Sequence, residues 1–255
     1  MSFESFVIKK AVPAPKIDSF SRYLFVGPHP DDIEVGAGAT AAKLRSLGKE
    51  VVFLICTDGR YGLDHAIEGT TPEALAEIRK RESLESARLL GVTDVRFLEL
   101  SDGAFYEPEE LLMGIARIVG EVKPDVIFAP DPNVASECHE DHLRAGRASA
   151  RIAFFAPFSE IMKRYGAESA PVKAIAYYMT ARPNRFLKTG PIDRQLRALL
   201  CHKTQFPEGS DAFSEVKRYL SIRSALFGLR VCSNHAEGFR ILSSTAMHCL
   251  PETGE

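Results

Sequence analysis

Side chains that bind metals or move protons crowd one short stretch of this chain, His29-Pro30-Asp31-Asp32-Ile33-Glu34. One imidazole and two carboxylates, with a third close behind, are donors of the kind a divalent cation takes. Pro28 and Pro30 stiffen the stretch by fixing φ, and Pro30 pushes His29 away from the α region. His29 and Asp32 lie three residues apart, so both reach one ion if the chain begins to coil after Pro30. Asp31 lies between them, points elsewhere and is left free for chemistry. Taken alone, the aspartates also have an ordinary explanation as caps at the positive end of a helix dipole.

A second cluster, Cys138-His139-Glu140-Asp141-His142, lies over a hundred residues further on. His139 and His142, three apart, can share one face of a helical turn. His29, Asp32 and one of these two histidines make a set of three imidazole and carboxylate ligands. Such a set suits a catalytic zinc, which keeps a fourth position open for water. A structural zinc would more often use four ligands rich in cysteine. Cys138 offers a thiolate ligand or nucleophile, against the ordinary behaviour of free cysteine as a small buried hydrophobe.

The elements that must position these clusters follow from the apolar pattern. Tyr23 to Val26 and Val51 to Cys56 are short apolar runs typical of strands covered on both faces. Asp94 to Leu98, Asp125 to Ala129 and Ala174 to Tyr178 complete five expected strands. Helices are expected from the His29 turn to Leu47, from Thr71-Pro72-Glu73 to Leu90, over 109–122, from the second cluster to Phe155, over 192–201 and over 212–227. Residues 1–20 read as an irregular arm. Strand–helix alternation through residue 178 implies an α/β, Rossmann-like three-layer fold: a mostly parallel sheet with helices on both faces. Both clusters follow strands, so both should open on one crevice at the carboxyl edge of the sheet.

Composition sets bounds. The 255 residues are 45% hydrophobic and 26% charged, with a formal net charge of -2, an ordinary globular balance that gives no reason to expect nucleic-acid binding. No apolar run approaches the roughly 18 residues of a membrane span. The first residues lack a basic region followed by an apolar one, so no leader peptide is expected. Five scattered cysteines make neither a disulfide framework nor a zinc ribbon, and a reducing cytoplasm is the simplest location. The glycines at 36 and 38 make no dinucleotide fingerprint, because carboxylates occupy the turn where a pyrophosphate would sit.

The combination of His29-Pro30-Asp31-Asp32 after the first strand with a distal His139-x-x-His142 resembles the PIG-L/LmbE-like N-deacetylases. Arg79-x-x-Glu82 ahead of Leu90-Gly91-Val92, the segment from Ala198 to Gln205, and Ala236-Glu237-Gly238-Phe239-Arg240 add to the likeness, which spans residues 22–245. Asp31 to Glu34, Thr57-Asp58-Gly59 and Thr71-Pro72-Glu73 are most similar to the diacetylchitobiose deacetylase branch. Glu140 departs from the family, where proline is common.

The resemblance implies one LmbE-like domain over 1–255, with substrate-site and oligomerisation elements from about 180 onward. It implies one zinc per chain on His29, Asp32 and His142, with Asp31 as general base. His139, as an imidazolium, would stabilise the oxyanion, and Asp141 would hold it protonated or orient it. Arg79 matches a position linked to substrate contact, against a solvated helical charge as its plain reading. Asp58, Arg60 and Tyr61 sit at a strand end where they could line a sugar pocket, and Tyr106 lies on the next such loop. His202 would contact the site or a neighbouring subunit. The implied partners are a small N-acetylated sugar and further copies of the chain, as a trimer or hexamer. The implied reaction removes an acetyl group from an N-acetylglucosaminyl compound. Hydrolysis of another amide, in an acylated antibiotic or a thiol precursor, and a sugar- or nucleotide-binding module without turnover are the competing readings. Specificity is expected in loops 57–71, 102–107, 131–138 and 180–190.

Overall fold

The computed structural model describes residues 7–250 except residue 9. A seven-stranded sheet runs through it in the order β3-β2-β1-β4-β5-β7-β6. The strands are β1 (Arg22–Gly27), β2 (Glu50–Thr57), β3 (Asp94–Leu100), β4 (Val126–Pro130), β5 (Ala174–Tyr178), β6 (Arg185–Lys188) and β7 (Ala236–Ser243). The first five are parallel, and β1, β2, β4 and β5 carry the unbroken apolar runs that a strand covered on both faces needs, while β3, at the sheet edge, carries Arg96 and Glu99; β7 runs antiparallel to both β5 and β6.

Strand parity sorts the core into two layers. Leu24 and Val26 of β1 face one hydrophobic cluster, beneath α3 (Pro108–Val122) and α4 (Glu140–Phe155). Tyr23 and Phe25 face the other, beneath α1 (Asp32–Ser46) and α2 (Pro72–Leu90). Phe25 stacks on Phe128 with ring centroids 4.1 Å apart, tying β1 to β4. The chain leaves β1 towards β2 and β3, then returns to add β4 on the other side of β1. That reversal is the switch point where a crevice opens in a sheet of this kind.

The structure departs from the expected elements in several places. It adds β6, β7 and the short α5 (Ser159–Arg164) to them. Helices α6 (Asp193–Leu199) and α7 (Asp211–Leu229) lie where expected. The arm at 1–20 falls partly outside the described residues; its described part is helical at residues 7, 8, 10 and 11 and forms a 3₁₀ turn at Ile17–Ser19. No helix of the described residues is long and apolar enough to cross a membrane.

Helix α1 has an internal break. Ala37 adopts φ -153° and ψ 15°, outside the helical region. The break frees backbone groups that partners from the C-terminal part then take up. The Ala39 and Thr40 amides donate to the Glu237 carboxylate at 3.2 and 2.7 Å, and Gln195 Nε2 donates to the Glu34 carbonyl at 2.7 Å. The small residues of α1 let it lie directly on the sheet. A Cβ at Gly36 would stand 2.2 Å from the Tyr178 ring.

Candidate metal centre and cleft

The switch point brings the two clusters together: His29 follows β1, and His142 sits in the first turn of α4, after β4. Asp32 Oδ2 lies 3.1 Å from His29 Nδ1 and 3.2 Å from His142 Nε2. Donor atoms of His29, Asp32 and His142 all lie within 4.8 Å of one another. The His29 backbone amide fixes the carboxylate from below, donating to the same Oδ2 at 2.8 Å.

The electrostatics of these groups fit a cation. Burial pushes Asp32 up, but His142 and His29 outweigh it and hold its carboxyl well below the usual range. Burial works against a charged His29, yet bonds with Asp102, Asp141 and Asp32 outweigh it and raise its pKa well above the usual value. His142 is likewise raised, burial losing to Asp32. The carboxylates thus draw protons onto the imidazoles, and a divalent ion would displace those protons on binding. Two imidazoles and one carboxylate are the donor set of an open zinc site.

Asp31 is not a conventional cap. It precedes α1 with φ 112° and makes no side-chain bond to the helix amides. Such a left-handed conformation costs a non-glycine residue about 1–3 kcal/mol, a strain typical of functional positions. Its carboxylate instead meets Arg79 Nη2 at 3.0 Å. Burial raises its pKa to about 6, with Arg79 pulling the other way. Arg79 is 4% exposed, so its plain reading as a solvated helical charge fails. It also donates to the carbonyls of Gly59 and Pro30 at 2.9 and 2.7 Å. Gly59 has φ 64°, and a Cβ there would stand 2.3 Å from Arg79 Nη1, so glycine is needed twice over.

The cleft above these groups holds 580 Å³ and is lined by His29, Asp31, Tyr61, Arg79, Asp102, Phe105, His139 and Gln205 among others. Its volume falls in the range of small-molecule sites. Tyr61 and Phe105 meet edge to face at its rim, ring centroids 5.9 Å apart. Asp58 and Arg60 do not line it, contrary to expectation. They bind each other at 2.6 and 2.8 Å and border a neighbouring hollow with Glu73 and Lys80. His202 is fully enclosed, its Nε2 3.5 Å from Glu34; it does not line the cleft but lies behind it, where its charge acts on Asp31. Tyr106 packs on the core under the Arg144 guanidinium.

His139 stands beside His29, ring centroids 4.4 Å apart. It does not have the surroundings expected of an imidazolium. Burial, then His29 and His142, lower its pKa. The Asp141 amide donates to His139 Nδ1 at 3.3 Å, so a neutral ring carries its proton on Nε2. The Asp141 carboxylate is turned elsewhere. It accepts from the Gly103 and Ala104 amides at 2.9 and 3.1 Å and lies 3.3 Å from His29 Nε2, against 3.8 Å from His139 Nδ1.

Two acids at the site escape sequence reasoning. Asp102 Oδ1 lies 3.2 Å from His29 Nε2. Ser101-Asp102-Gly103 carries an ordinary turn signal, and only its place at the end of β3, on the cleft edge, distinguishes it. Glu137 accepts from the His139 amide at 2.8 Å, with its other oxygen 3.1 Å from His142 Nδ1. No motif marks it. Cys138 is exposed and outside the ligand clusters.

The family motifs meet in space. Glu82 accepts from the Thr204 amide and hydroxyl at 3.0 and 2.6 Å, joining the Arg79-x-x-Glu82 pattern to the segment after α6. Comparison with known proteins agrees. The profile of the PIG-L family, described as GlcNAc-PI de-N-acetylase, matches residues 24–153. A diacetylchitobiose deacetylase of Thermococcus kodakarensis is 30% identical over 235 residues, covering 90% of this chain and 86% of its own. A 1D-myo-inositol 2-acetamido-2-deoxy-alpha-D-glucopyranoside deacetylase of Kineococcus radiotolerans is 31% identical, covering 72% of this chain and 57% of its own. The solved structure of N,N'-diacetylchitobiose deacetylase from Pyrococcus horikoshii, in complex with its inhibitor MPG, superposes with a TM-score of 0.86. It is 29% identical and covers 98% of this chain and 97% of its own.

Proposed function

The chain belongs to the PIG-L family of de-N-acetylases, and from that premise we propose that it is a zinc-dependent hydrolase of an N-acetylglucosaminyl compound, releasing acetate and a free amine. The observation that carries this reading is the single Asp32 oxygen set between His29 Nδ1 and His142 Nε2, with an unligated acid, Asp31, beside it. His29, Asp32 and His142 would hold the ion. Zinc bound there supplies Lewis acidity, which makes a water acidic near neutral pH and polarises an amide carbonyl.

The chain's own residues do the rest. Asp31 faces the cleft, fixed by Arg79, and accepts the proton of the attacking water. Once protonated, it returns that proton to the leaving nitrogen. His139, as a neutral ring with its proton on Nε2, donates a hydrogen bond to the oxyanion of the tetrahedral species. Tyr61 and Phe105 offer aromatic surface of the kind a sugar ring packs against. One water and one amide give one carboxylate and one amine, with no net change in protein protonation beyond product ionisation.

The relatives' names support this class of substrate: one acts on diacetylchitobiose, the other on an N-acetylglucosaminyl inositol. The test is acetate release by zinc-loaded protein from N-acetylglucosamine, its β-linked dimer and its inositol and malate conjugates. Equal amounts of acetate and new primary amine are expected from at least one. Fully metallated protein that releases acetate from none of them would overturn the assignment.

A further inference from the structure

His29 has two ring nitrogens, and both face carboxylates. Nδ1 lies 3.1 Å from Asp32 Oδ2; Nε2 lies 3.2 Å from Asp102 Oδ1 and 3.3 Å from Asp141 Oδ2. A neutral imidazole has one N–H and one lone pair, and which nitrogen holds which is decided by its hydrogen-bond partners. A metal needs the lone pair. Donors gather on both sides of the ring, Asp32 and His142 on one and Asp102, His139 and Asp141 on the other. With His29, Asp32 and His142 as the ligand set, whose shared Asp32 oxygen also touches His142 Nε2, the side that belongs to the ion is the Asp32 side. The proton therefore belongs on Nε2.

We propose that Asp102, with Asp141, is a positioning residue that holds the proton of His29 on Nε2, so that Nδ1 is presented to the metal. The two acids are well built for this. Asp102 is 7% exposed and Asp141 is 1% exposed. Asp102 Oδ2 accepts from the Tyr61 amide at 3.3 Å, and its Oδ1 pairs with the imidazole at 3.2 Å, beside the hydrogen bond between Nε2 and Asp141 Oδ2. Asp141 is fixed by the Gly103 and Ala104 amides. One short turn, residues 102–104, thus supplies one acid and grips the other. Carboxylates behind a ligating imidazole make it more basic and fix its ring, and losing one typically costs about 10–100-fold in metal affinity.

The inference rests on the reading of His29 as a metal ligand, and the experiment separates the two. Zinc affinity is measured by chelator competition on wild type, Asp102→Ala and Asp102→Asn. Long-range ¹⁵N–¹H spectra of the zinc-loaded protein then report which His29 nitrogen carries the proton and how fast it exchanges with water. The expected result is His29 Nδ1 on the metal and a slowly exchanging Nε2–H in wild type. Asp102→Ala should bind zinc about tenfold more weakly and exchange that proton at least about tenfold faster. Asp102→Asn keeps a carbonyl acceptor and should fall between. A substrate-contacting Asp102 would instead raise KM and leave zinc affinity alone.

Zinc affinity within twofold of wild type in Asp102→Ala, with unchanged proton exchange, would overturn the inference. So would coordination through Nε2, or a second equivalent of zinc bound by wild type and lost in the variant, which would make Asp102 a ligand. Wild-type protein without zinc affinity would overturn the metal reading itself.

Discussion

The parallel part of the sheet and its antiparallel flank divide the work of this molecule. Strands β1 and β4 deliver His29, Asp31, Asp32 and His142 to the switch point, on turns whose side chains are held by their own neighbours. The flank, from α6 to β7, sends no side chain to the ligand set. Instead Glu237 and Gln195 tend the break in α1, the helix that starts at Asp32. Candidate chemistry and scaffold meet in that one helix: its first residue, Asp32, belongs to the candidate ligand set, and its middle is held from the flank. Substitutions in the first region should therefore change turnover with the fold intact, and substitutions in the second should do the reverse.

The largest expected effect is that of Asp31→Asn, which keeps shape and removes the base. Turnover should fall by on the order of 10³, the middle of the range for a lost general base, while zinc stoichiometry stays at that of wild type. Acetate release paired with metal analysis checks both. Loss of metal along with activity would make Asp31 a ligand and blur the line between base and metal site. Chelation comes next. If the ion binds only the folded chain, saturation at 100 times its Kd adds about 2.7 kcal/mol, so the melting temperature should rise with zinc. Far-UV dichroism should be unchanged by chelation, because neither apolar layer includes His29, Asp32 or His142.

On the flank side, Glu237→Ala would leave the Ala39 and Thr40 amides without their acceptor. An unpaired buried donor costs about 1–3 kcal/mol, so urea unfolding should show a loss of that size or more. Zinc per chain should not change. If it fell, the break in α1 would belong to the site rather than the scaffold. Gly36→Ala is a sharper probe. Alanine in a helix is favoured over glycine by about 1 kcal/mol, but the new methyl would stand 2.2 Å from the Tyr178 ring. That ring cannot easily yield, since its hydroxyl donates to the Val26 carbonyl at 2.7 Å. Overpacking of this kind costs about 1–3 kcal/mol, so the net change should be destabilising.

The same division explains which parts are legible in the sequence. Four of the parallel strands are continuous apolar runs, β3 at the edge alternates apolar with charged residues, and the candidate ligands sit in compact motifs, so the residue pattern alone marks all of these. The flank carries no such mark. Strand β6 has four residues, and β7 carries Glu237, Gly238 and Arg240 among its apolar positions. Those polar residues are engaged in the fold, Glu237 on α1 and Arg240 on Asp131 at 3.3 Å, which breaks the alternation that marks a strand. Asp102 is hidden for another reason. A turn of Ser-Asp-Gly is common, and its nearness to His29 depends on how the β3 loop crosses the cleft rather than on spacing along the chain. Family resemblance directs Asp141 at His139, where the geometry turns it to His29 and the 102–104 turn.

The smallest effect should come from Arg60, which the sequence puts at the sugar pocket and the structure puts beside it. Its guanidinium is bound to Asp58 and approaches Glu73, with 28% of the side chain exposed. A pair so accessible to water is worth about 0–1 kcal/mol. Arg60→Ala should therefore shift stability by no more than that and leave KM within about twofold of wild type. A tenfold rise in KM would mean that the hollow around Arg60 joins the cleft when substrate binds. Arg79, whose guanidinium lines the cleft and binds the carbonyl of Pro30, a residue bordering that hollow, would then be a residue that moves rather than one that only holds Asp31.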